Sequence, residues 1–170
     1  EPPAEIVVAA NKAARALGVE AGMTRLQAES FPEVVALSRK LKDEASAQMI
    51  LHTIVCLFSP RIEYVEKYPG TYALDIEGMN RLYGDAEQLA TKLRQSTMAA
   101  GFLANVAIAE NFHAAVCLAL GRTGVSVALP GCEAEAMRDL PLRVLSLEPQ
   151  HEEIFQSWGI RTCGELAALA

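Results

Sequence analysis

The sequence lacks the features that mark several large classes of protein. No apolar run approaches the roughly 18 to 20 residues that a membrane-spanning helix needs. No basic stretch followed by an apolar core marks a secretory signal. The four cysteines are widely spaced and include no Cys-x-x-Cys pair, which argues against a zinc site. We therefore expect a cytoplasmic protein with reduced, mostly buried thiols and no membrane contact.

Positive charge is also scarce, since 15 lysines and arginines face 21 acidic residues and give a net charge of −6. A protein that binds nucleic acid by itself usually carries net positive charge or a clear basic stripe. The nearest feature to a stripe is the group Arg39, Lys40 and Lys42, and such a group is more often a solvated face than a track for phosphates. Contact with DNA is therefore predicted to be weak.

The common catalytic motifs are missing too. The chain has no Gly-x-Ser-x-Gly, no P-loop and no Gly-x-Gly-x-x-Gly segment. None of the three histidines stands at metal-ligand spacing, and His52 and His113 lie in apolar helical segments where core or boundary positions are expected. What is present is an ordinary globular composition, with 51% hydrophobic and 21% charged residues, that can build a substantial core.

Periodicity along the chain predicts an α+β fold, in which a mixed sheet is covered by helices on one side. A long helix is expected at about 42–58, and a hairpin is expected around Pro69-Gly70. Beyond Pro130-Gly131 the pattern predicts only short helices. The predicted strands are 5–9, 34–37, 61–68, 72–76, 103–109 and 125–129.

The segment YALDIEGMNRLYG, residues 72–84, alternates apolar and smaller or polar residues and predicts a strand, a turn and a short helix. Asp75 lies near the end of that strand, just before Glu77-Gly78. Many α/β and α+β enzymes hold a metal with a carboxylate at a strand exit, whereas a lone aspartate commonly caps a turn. The residues alone favour the cap and leave the metal as the alternative.

Two further segments have two interpretations each. Lys12 and Arg15 stand at a helix start that follows a strand, where backbone N–H donors and the positive end of the helix dipole favour binding of a phosphate. They also fit the solvent face of an amphipathic helix. The helices at 150–158 and 163–169, joined by Gly159-Ile160, are similar to half of a helix-hairpin-helix unit that presents backbone N–H groups to DNA phosphate. Plain helix packing would give the same pattern.

Five segments in order resemble the palm, fingers and thumb of the Y-family (UmuC-like) translesion DNA polymerases. The resemblance runs over essentially the whole chain, and FSPRIE followed by ALDIEGMNRLYGDAE is most similar to the catalytically inactive ImuB-type branch. The segments are AANKAARALGVEAGM, ALDIEGMNRLYG, VAIAEN, LPLRVLSL and WGIRTCGELAAL.

The resemblance implies a role for three cations. Arg15 matches the fingers arginine that binds the incoming triphosphate, and Lys12 stands where active members place a tyrosine beside the same triphosphate. Arg122 falls near a palm lysine. These three residues are expected to be vestigial phosphate contacts.

The departures from the family pattern predict lost catalysis. The resemblance places Gly70 and Thr71 where active members carry an Asp-Glu pair for two divalent metals, and it aligns Asp75 with an aspartate that is not a ligand. Glu148 and Pro149 replace part of a Gly-Ile-Gly hairpin and disfavour a phosphate. We therefore predict that the chain is not an enzyme, with no catalytic residue, metal or cofactor.

The resulting hypothesis is a non-catalytic adaptor in SOS-type error-prone repair. By resemblance, its segments are fingers at 1–37, palm at 38–130 and a helical, helix-hairpin-helix-like thumb at 131–170, without the first palm strand or the little finger. Its implied partners are the beta sliding clamp, a RecA-like accessory protein and an error-prone replicative-type polymerase. The alternatives are an active lesion-bypass polymerase that uses Asp75, Glu77 or Asp85 in an unusual metal site, and a dNTP-binding sensor without turnover.

Overall fold

The computed structural model describes residues 5–169 and divides the chain into two compact units, Glu1–Glu44 and Ala45–Ala170. The helices are α1 Lys12–Ala16, α2 Arg25–Glu29, α3 Leu41–Cys56, α4 Asn80–Tyr83, α5 Ala86–Ala99, α6 Phe112–Gly121, α7 Glu133–Met137, a 3-10 helix Leu142–Leu145, α8 Pro149–Ser157 and α9 Cys163–Ala167. The strands are β1 Ile62–Tyr64, β2 Tyr72–Leu74, β3 Val106–Ile108 and β4 Val125–Val127. No helix in residues 5–169 is long and apolar enough to cross a membrane.

The first unit contains α1, α2 and a short backbone pairing instead of the expected strands. Ile6 forms only an isolated antiparallel bridge with Thr24, and residues 34–37 form no strand. Both predictions were wrong because β-branched residues form a stable strand only when a partner and a covering layer are present. Val35 and Leu37 are 79% and 88% exposed, so no such layer covers them.

In the second unit, α3 packs beside the predicted hairpin. β1 and β2 pair antiparallel with Ile62 opposite Leu74, which confirms the hairpin. Val55 and Phe58 are buried together with Leu93 of α5, and the strand residues pack against them. The helix ends two residues earlier than the expected 42–58, and Leu57, which follows it, is 68% exposed.

A parallel pair of strands forms the second sheet. Val106 of β3 lies opposite Val125 of β4, and α6 connects the two strands. A parallel connection needs a crossover, and α6 supplies it. Val106 also packs against the hairpin cluster. The expected single mixed sheet is therefore not formed in the described residues, because no strand of the hairpin pairs with β3 or β4. They form two separate two-stranded sheets, one antiparallel and one parallel, that contact one core cluster.

The short C-terminal helices close over the parallel pair. Leu140 and Val144 are buried with Cys117 and Leu118 of α6, so a single cluster joins elements on both sides of residue 130. The first turn of α9 lies against the end of α7, where the Gly164 amide donates to the Arg138 carbonyl at 2.9 Å. A Cβ at Gly164 would lie 2.9 Å from that carbonyl oxygen, which explains why this position holds a glycine.

Two expectations about reactive side chains do not hold. His52 and His113 are exposed and do not lie in the core or at its boundary. Two of the four thiols, Cys56 and Cys132, are exposed as well, although all four are free as expected. His52, Cys56 and His113 lie on the exposed side of helices that also carry buried apolar residues, whereas Cys132 precedes α7.

Candidate functional site

Asp75 caps the turn after β2. Its Oδ1 accepts the Glu77 amide at 2.9 Å, and its Oδ2 lies 3.1 Å from Nε of Arg61. Arg61 also lies 3.9 Å from the Glu77 carboxylate. Asp75 is exposed, so the pair is a surface ion pair of modest strength. The cap favoured by the sequence is the arrangement that forms.

Ser59 stabilises the same end of β2 from its buried side. This serine is only 2% exposed; its hydroxyl contacts the Asp75 carbonyl at 2.5 Å and the Arg61 carbonyl at 3.2 Å, and it accepts the Arg61 amide at 3.0 Å. The backbone on either side of the hairpin is thereby joined through one buried hydroxyl. No local pattern in the sequence indicates this residue, because its partner Asp75 is brought close only when the hairpin folds back on the end of α3.

The acidic residues near the hairpin do not fit a two-metal site. Asp75 and Glu77 face Arg61, and Asp85 caps α5, where its Oδ1 accepts the Gln88 amide at 2.8 Å. In residues 5–169, no three histidine, cysteine, aspartate or glutamate side chains form a group that could hold a metal ion. Clamping two divalent cations requires several converging carboxylates, and the described part of this chain does not provide them.

Lys12 and Arg15 both lie on α1 in the first unit. They stand three residues apart, so they share one side of the helix, and both are exposed. Asn11 caps the helix by accepting the Ala14 amide at 2.8 Å. Among residues 5–169, the structure gives neither cation an ion-pair partner. Their charge therefore remains available to an anion.

Arg122 belongs to the second unit and already has a partner. It follows α6, and its Nη2 donates to the Ala136 carbonyl at 2.6 Å. This contact ties the end of α6 to α7. Arg122 therefore makes a structural contact, whereas Lys12 and Arg15 of α1 have no ion-pair partner within residues 5–169.

The region around α8 combines apolar and mixed-charge surface. Arg143 and Arg161 line an open cavity of about 450 Å³ together with Glu152 and Gln156. Glu152 places a carboxylate among these arginines, so the cavity does not have a purely positive lining. The Gly159 turn is held by the Ile160 amide, which donates to the Phe155 carbonyl at 2.9 Å.

The helix α9 begins with a strong cap. The Glu165 carboxylate accepts the amides of Arg161 and Thr162 at 2.7 and 2.9 Å, and the Thr162 hydroxyl accepts the Glu165 amide in return. These bonds, first that from Arg161 and then that from Thr162, lower the pKa of Glu165. The backbone amides of Arg161 and Thr162, between α8 and α9, thus bond to a carboxylate of the chain itself.

A model of the impB/mucB/samB family matches residues 1–119, which is more than half of the chain. The chain belongs to the impB/mucB/samB family. This assignment confirms the Y-family, UmuC-like resemblance that the sequence segments indicated, without deciding the branch.

The curated relatives of this family member are polymerases by name. DNA polymerase IV 2 of Mesorhizobium japonicum is 27% identical over 167 residues, which cover 95% of this chain and 40% of the relative. DNA polymerase IV of Dehalococcoides mccartyi is 30% identical over 174 residues, which cover 96% of this chain and 43% of the relative. The chain therefore spans about two-fifths of the length of these relatives.

Solved structures support the same fold for this impB/mucB/samB chain. The crystal structure of DinB from Sulfolobus solfataricus matches with a TM-score of 0.73 and 20% identity over 92% of this chain and 47% of that one. A DinB family error prone DNA polymerase from the same organism gives a TM-score of 0.74 and 20% identity, covering 94% and 49%. The described elements thus form an α+β fold similar to that of these solved DinB structures.

The prediction that the chain is not an enzyme is contradicted by the names of its relatives, which are DNA polymerases. That prediction counted carboxylates only within this chain. The relatives are more than twice as long as this chain. The neutral residues Gly70 and Thr71 therefore exclude metal ligands at these two positions, but they do not exclude metal ligands elsewhere in a longer protein. A shortage of carboxylates in one segment therefore does not establish that a longer protein lacks polymerase activity.

Proposed function

We propose that the protein containing this chain synthesises DNA across damaged template bases, by transferring nucleotides to a primer end. The observation that carries this proposal is the family match over residues 1–119, together with relatives named DNA polymerase IV that align with nearly the whole chain. The hairpin and the parallel strand pair supply a rigid platform, as a positioning role in phosphoryl transfer requires.

Within this function, each part of the chain has a proposed task. Residues 1–37 act as fingers, residues 38–130 as palm and residues 131–170 as a helix-hairpin-helix-like thumb. Lys12 and Arg15 bind the phosphates of the incoming nucleotide, because they are exposed cations on one side of α1. A triphosphate bears several negative charges, and charge-assisted bonds to lysine and arginine are strong. Arg122 has a smaller part in phosphate binding, since its guanidinium already serves the Ala136 carbonyl.

The metal ions of phosphoryl transfer would neutralise charge that develops on the transferring group. The described residues do not fit such ions, since Asp75 and Glu77 face Arg61 and Asp85 is a helix cap. The contribution proposed for this chain is therefore to bind the nucleotide and to support the sheet. Its net charge of −6 favours weak DNA contact by this segment alone.

We also propose that the protein is related in sequence to the ImuB-type branch while keeping polymerase activity, and that it assembles with other replication proteins. The segments FSPRIE and ALDIEGMNRLYGDAE support this relationship. The two segments also contact each other, since Ser59 bonds to the Asp75 carbonyl and Arg61 pairs with the Asp75 carboxylate. The proposed partners are the beta sliding clamp, a RecA-like accessory protein and an error-prone replicative-type polymerase, in the cytoplasm. Co-purification of the tagged full-length protein with each purified partner tests this, and the absence of all three complexes refutes it.

Primer extension tests the polymerase function. The full-length protein is given a primed template, dNTPs and Mg²⁺, and is compared with its Arg15→Ala and Arg81→Ala variants. Arg81 is an exposed arginine of α4 and serves as the matched control. The expected result is templated extension that Arg15→Ala weakens by about tenfold or more, mainly through KM for dNTP, because a charged hydrogen bond to phosphate is worth about 1.5–3 kcal/mol.

The same assay distinguishes the alternatives. If the Arg15→Ala and Arg81→Ala variants behave alike, the nucleotide-binding role of α1 is refuted. If dNTP binds calorimetrically and no primer is extended, the protein is a nucleotide sensor and the polymerase proposal fails.

A further inference from the structure

A cysteine and a histidine stand together on the solvent-exposed surface of α3. Cys56 and His52 are separated by four residues, which places them on one side of the helix one turn apart. The Cys56 sulfur lies 3.5 Å from Nε2 of His52. Both residues are exposed, so a small molecule can reach the sulfur from solvent.

The pair adjoins the hairpin through Tyr72. The ring of Tyr72 lies 5.9 Å from the ring of His52, and its hydroxyl donates to the Gln48 carbonyl at 3.1 Å. Tyr64 packs edge-on against Tyr72 at 5.2 Å. Desolvation first, and then the charges of Tyr64 and Cys56, raise the pKa of Tyr72, so the phenol stays neutral beside the thiol. The groups that face Cys56 thus include one imidazole and a neutral phenol.

The other three thiols of the chain lack this combination. Cys117 is buried, Cys163 is partly buried, and burial raises the pKa of both thiols. Cys132 is exposed, but within residues 5–169 its thiol has no hydrogen-bond partner. Reactivity of a thiol requires both access and a route for its proton, and only Cys56 has both in the described part of the chain.

We propose that Cys56 is a modification site that undergoes thiol–disulfide exchange with a low-molecular-weight disulfide, with His52 as its proton acceptor. His52 Nε2 takes the thiol proton as the Cys56 sulfur attacks one sulfur of the reagent. A new S–S bond forms to Cys56, the S–S bond of the reagent breaks, and the released thiolate takes the proton back from His52. The reagent is both the oxidant and the source of the added group, so the exchange balances without a further reactant.

This modification is independent of the proposed DNA synthesis. Cys56 lies at the end of α3, beside the buried Val55 and two residues before the buried Phe58. The adduct would project from the exposed side of the helix, where no core side chain has to move. The exchange is therefore expected to proceed on the folded protein and to be reversed by an added thiol.

The test uses the full-length protein and two probes. Oxidised glutathione shows where the adduct forms, by peptide mass spectrometry after a short exposure. The coloured aromatic disulfide dithiobis-nitrobenzoate gives the rate of each phase. The expected result is a single fast phase that maps to Cys56, disappears in Cys56→Ser and is reversed by dithiothreitol, while Cys132 reacts more slowly.

The role of His52 is tested by His52→Gln, which keeps a polar side chain of similar size but accepts no proton near neutral pH. His113→Gln, at an exposed histidine of α6, is the matched control. We expect His52→Gln to slow the Cys56 phase by about tenfold or more and His113→Gln to leave it unchanged, with equal helix content by circular dichroism. The proposal is overturned if Cys132 reacts as fast as Cys56, or if the two histidine variants have equal rates.

Discussion

At the scale of single residues, Ser59 is the main determinant of the strand exit that carries Asp75. A buried hydroxyl that serves both an amide and a carbonyl leaves two backbone groups unpaired when it is removed. We expect Ser59→Ala to lower the free energy of unfolding by about 1–3 kcal/mol. Urea denaturation measures this, with the exposed Ser157→Ala as control, for which the expected change is within about 0.5 kcal/mol. Equal effects of the two substitutions would contradict the role of Ser59.

Asp75 is expected to matter little for either stability or catalysis. Its partner Arg61 is exposed, and surface ion pairs contribute at most about 1 kcal/mol. Asp75→Asn should therefore lower the free energy of unfolding by no more than that, and it should leave Mg²⁺-dependent primer extension unchanged. A loss of extension by orders of magnitude, with stability unchanged, would instead identify Asp75 as a metal ligand.

The sequence could predict the capping role of Asp75 because a turn cap depends on two neighbouring residues. It could not predict Ser59, whose partners Asp75 and Arg61 meet only when the hairpin folds back on the end of α3. It also could not predict that Arg122 is occupied, since the Ala136 carbonyl lies on another helix. Local patterns thus predict residue roles only where the partner is local.

At the scale of elements, the cap of α9 makes stability depend on pH. The folded pKa of Glu165 lies below its unfolded value, so its contribution is fully present above the ordinary glutamate pKa of about 4.3 and is lost as the pH falls through the folded pKa. We expect Glu165→Gln to lower the melting temperature at neutral pH and to match the wild type in acid. Thermal melts over a pH series measure this.

The matched control for that series is Glu153→Gln, since Glu153 is an exposed glutamate of α8 with no hydrogen-bond partner within residues 5–169. Its melting temperature should follow the wild type at every pH. A Glu165→Gln difference that persists unchanged in acid would contradict the cap as its cause.

The close approach of α9 to α7 predicts a second effect on stability. A Cβ at Gly164 would crowd the Arg138 backbone, so Gly164→Ala should cost about 1–3 kcal/mol by overpacking, although alanine is the better helix former. Ala134→Ser adds one atom on the exposed side of α7 and should be nearly neutral. Chemical denaturation compares the two. A more stable Gly164→Ala variant would show that the helices can separate freely.

Helices and the hairpin could be predicted because their patterns are long or carry turn residues, as at 42–58 and at Pro69-Gly70. The strands at 5–9 and 34–37 were wrong, since strand propensity says nothing about a missing partner. The 3-10 helix Leu142–Leu145 was missed because its pattern is too short to show a period.

At the scale of the whole molecule, the family and fold could be predicted from five ordered segments, while the activity could not. The inference from Gly70 and Thr71 to a lost activity treated one segment as the whole catalytic machinery, and the relatives named DNA polymerase IV overturned it. Metal sites are assembled from distant parts of a chain. The absence of one carboxylate pair therefore does not show how many metal ligands the rest of the protein provides.

Lesion bypass by the full-length protein tests the central proposal most directly. The measurement is primer extension opposite an abasic site, with dNTPs and Mg²⁺, resolved nucleotide by nucleotide. The proposal predicts insertion opposite the lesion and extension beyond it, both weakened by Arg15→Ala and unaffected by Arg81→Ala. Extension that stops before the lesion, or no extension on any template, would contradict it.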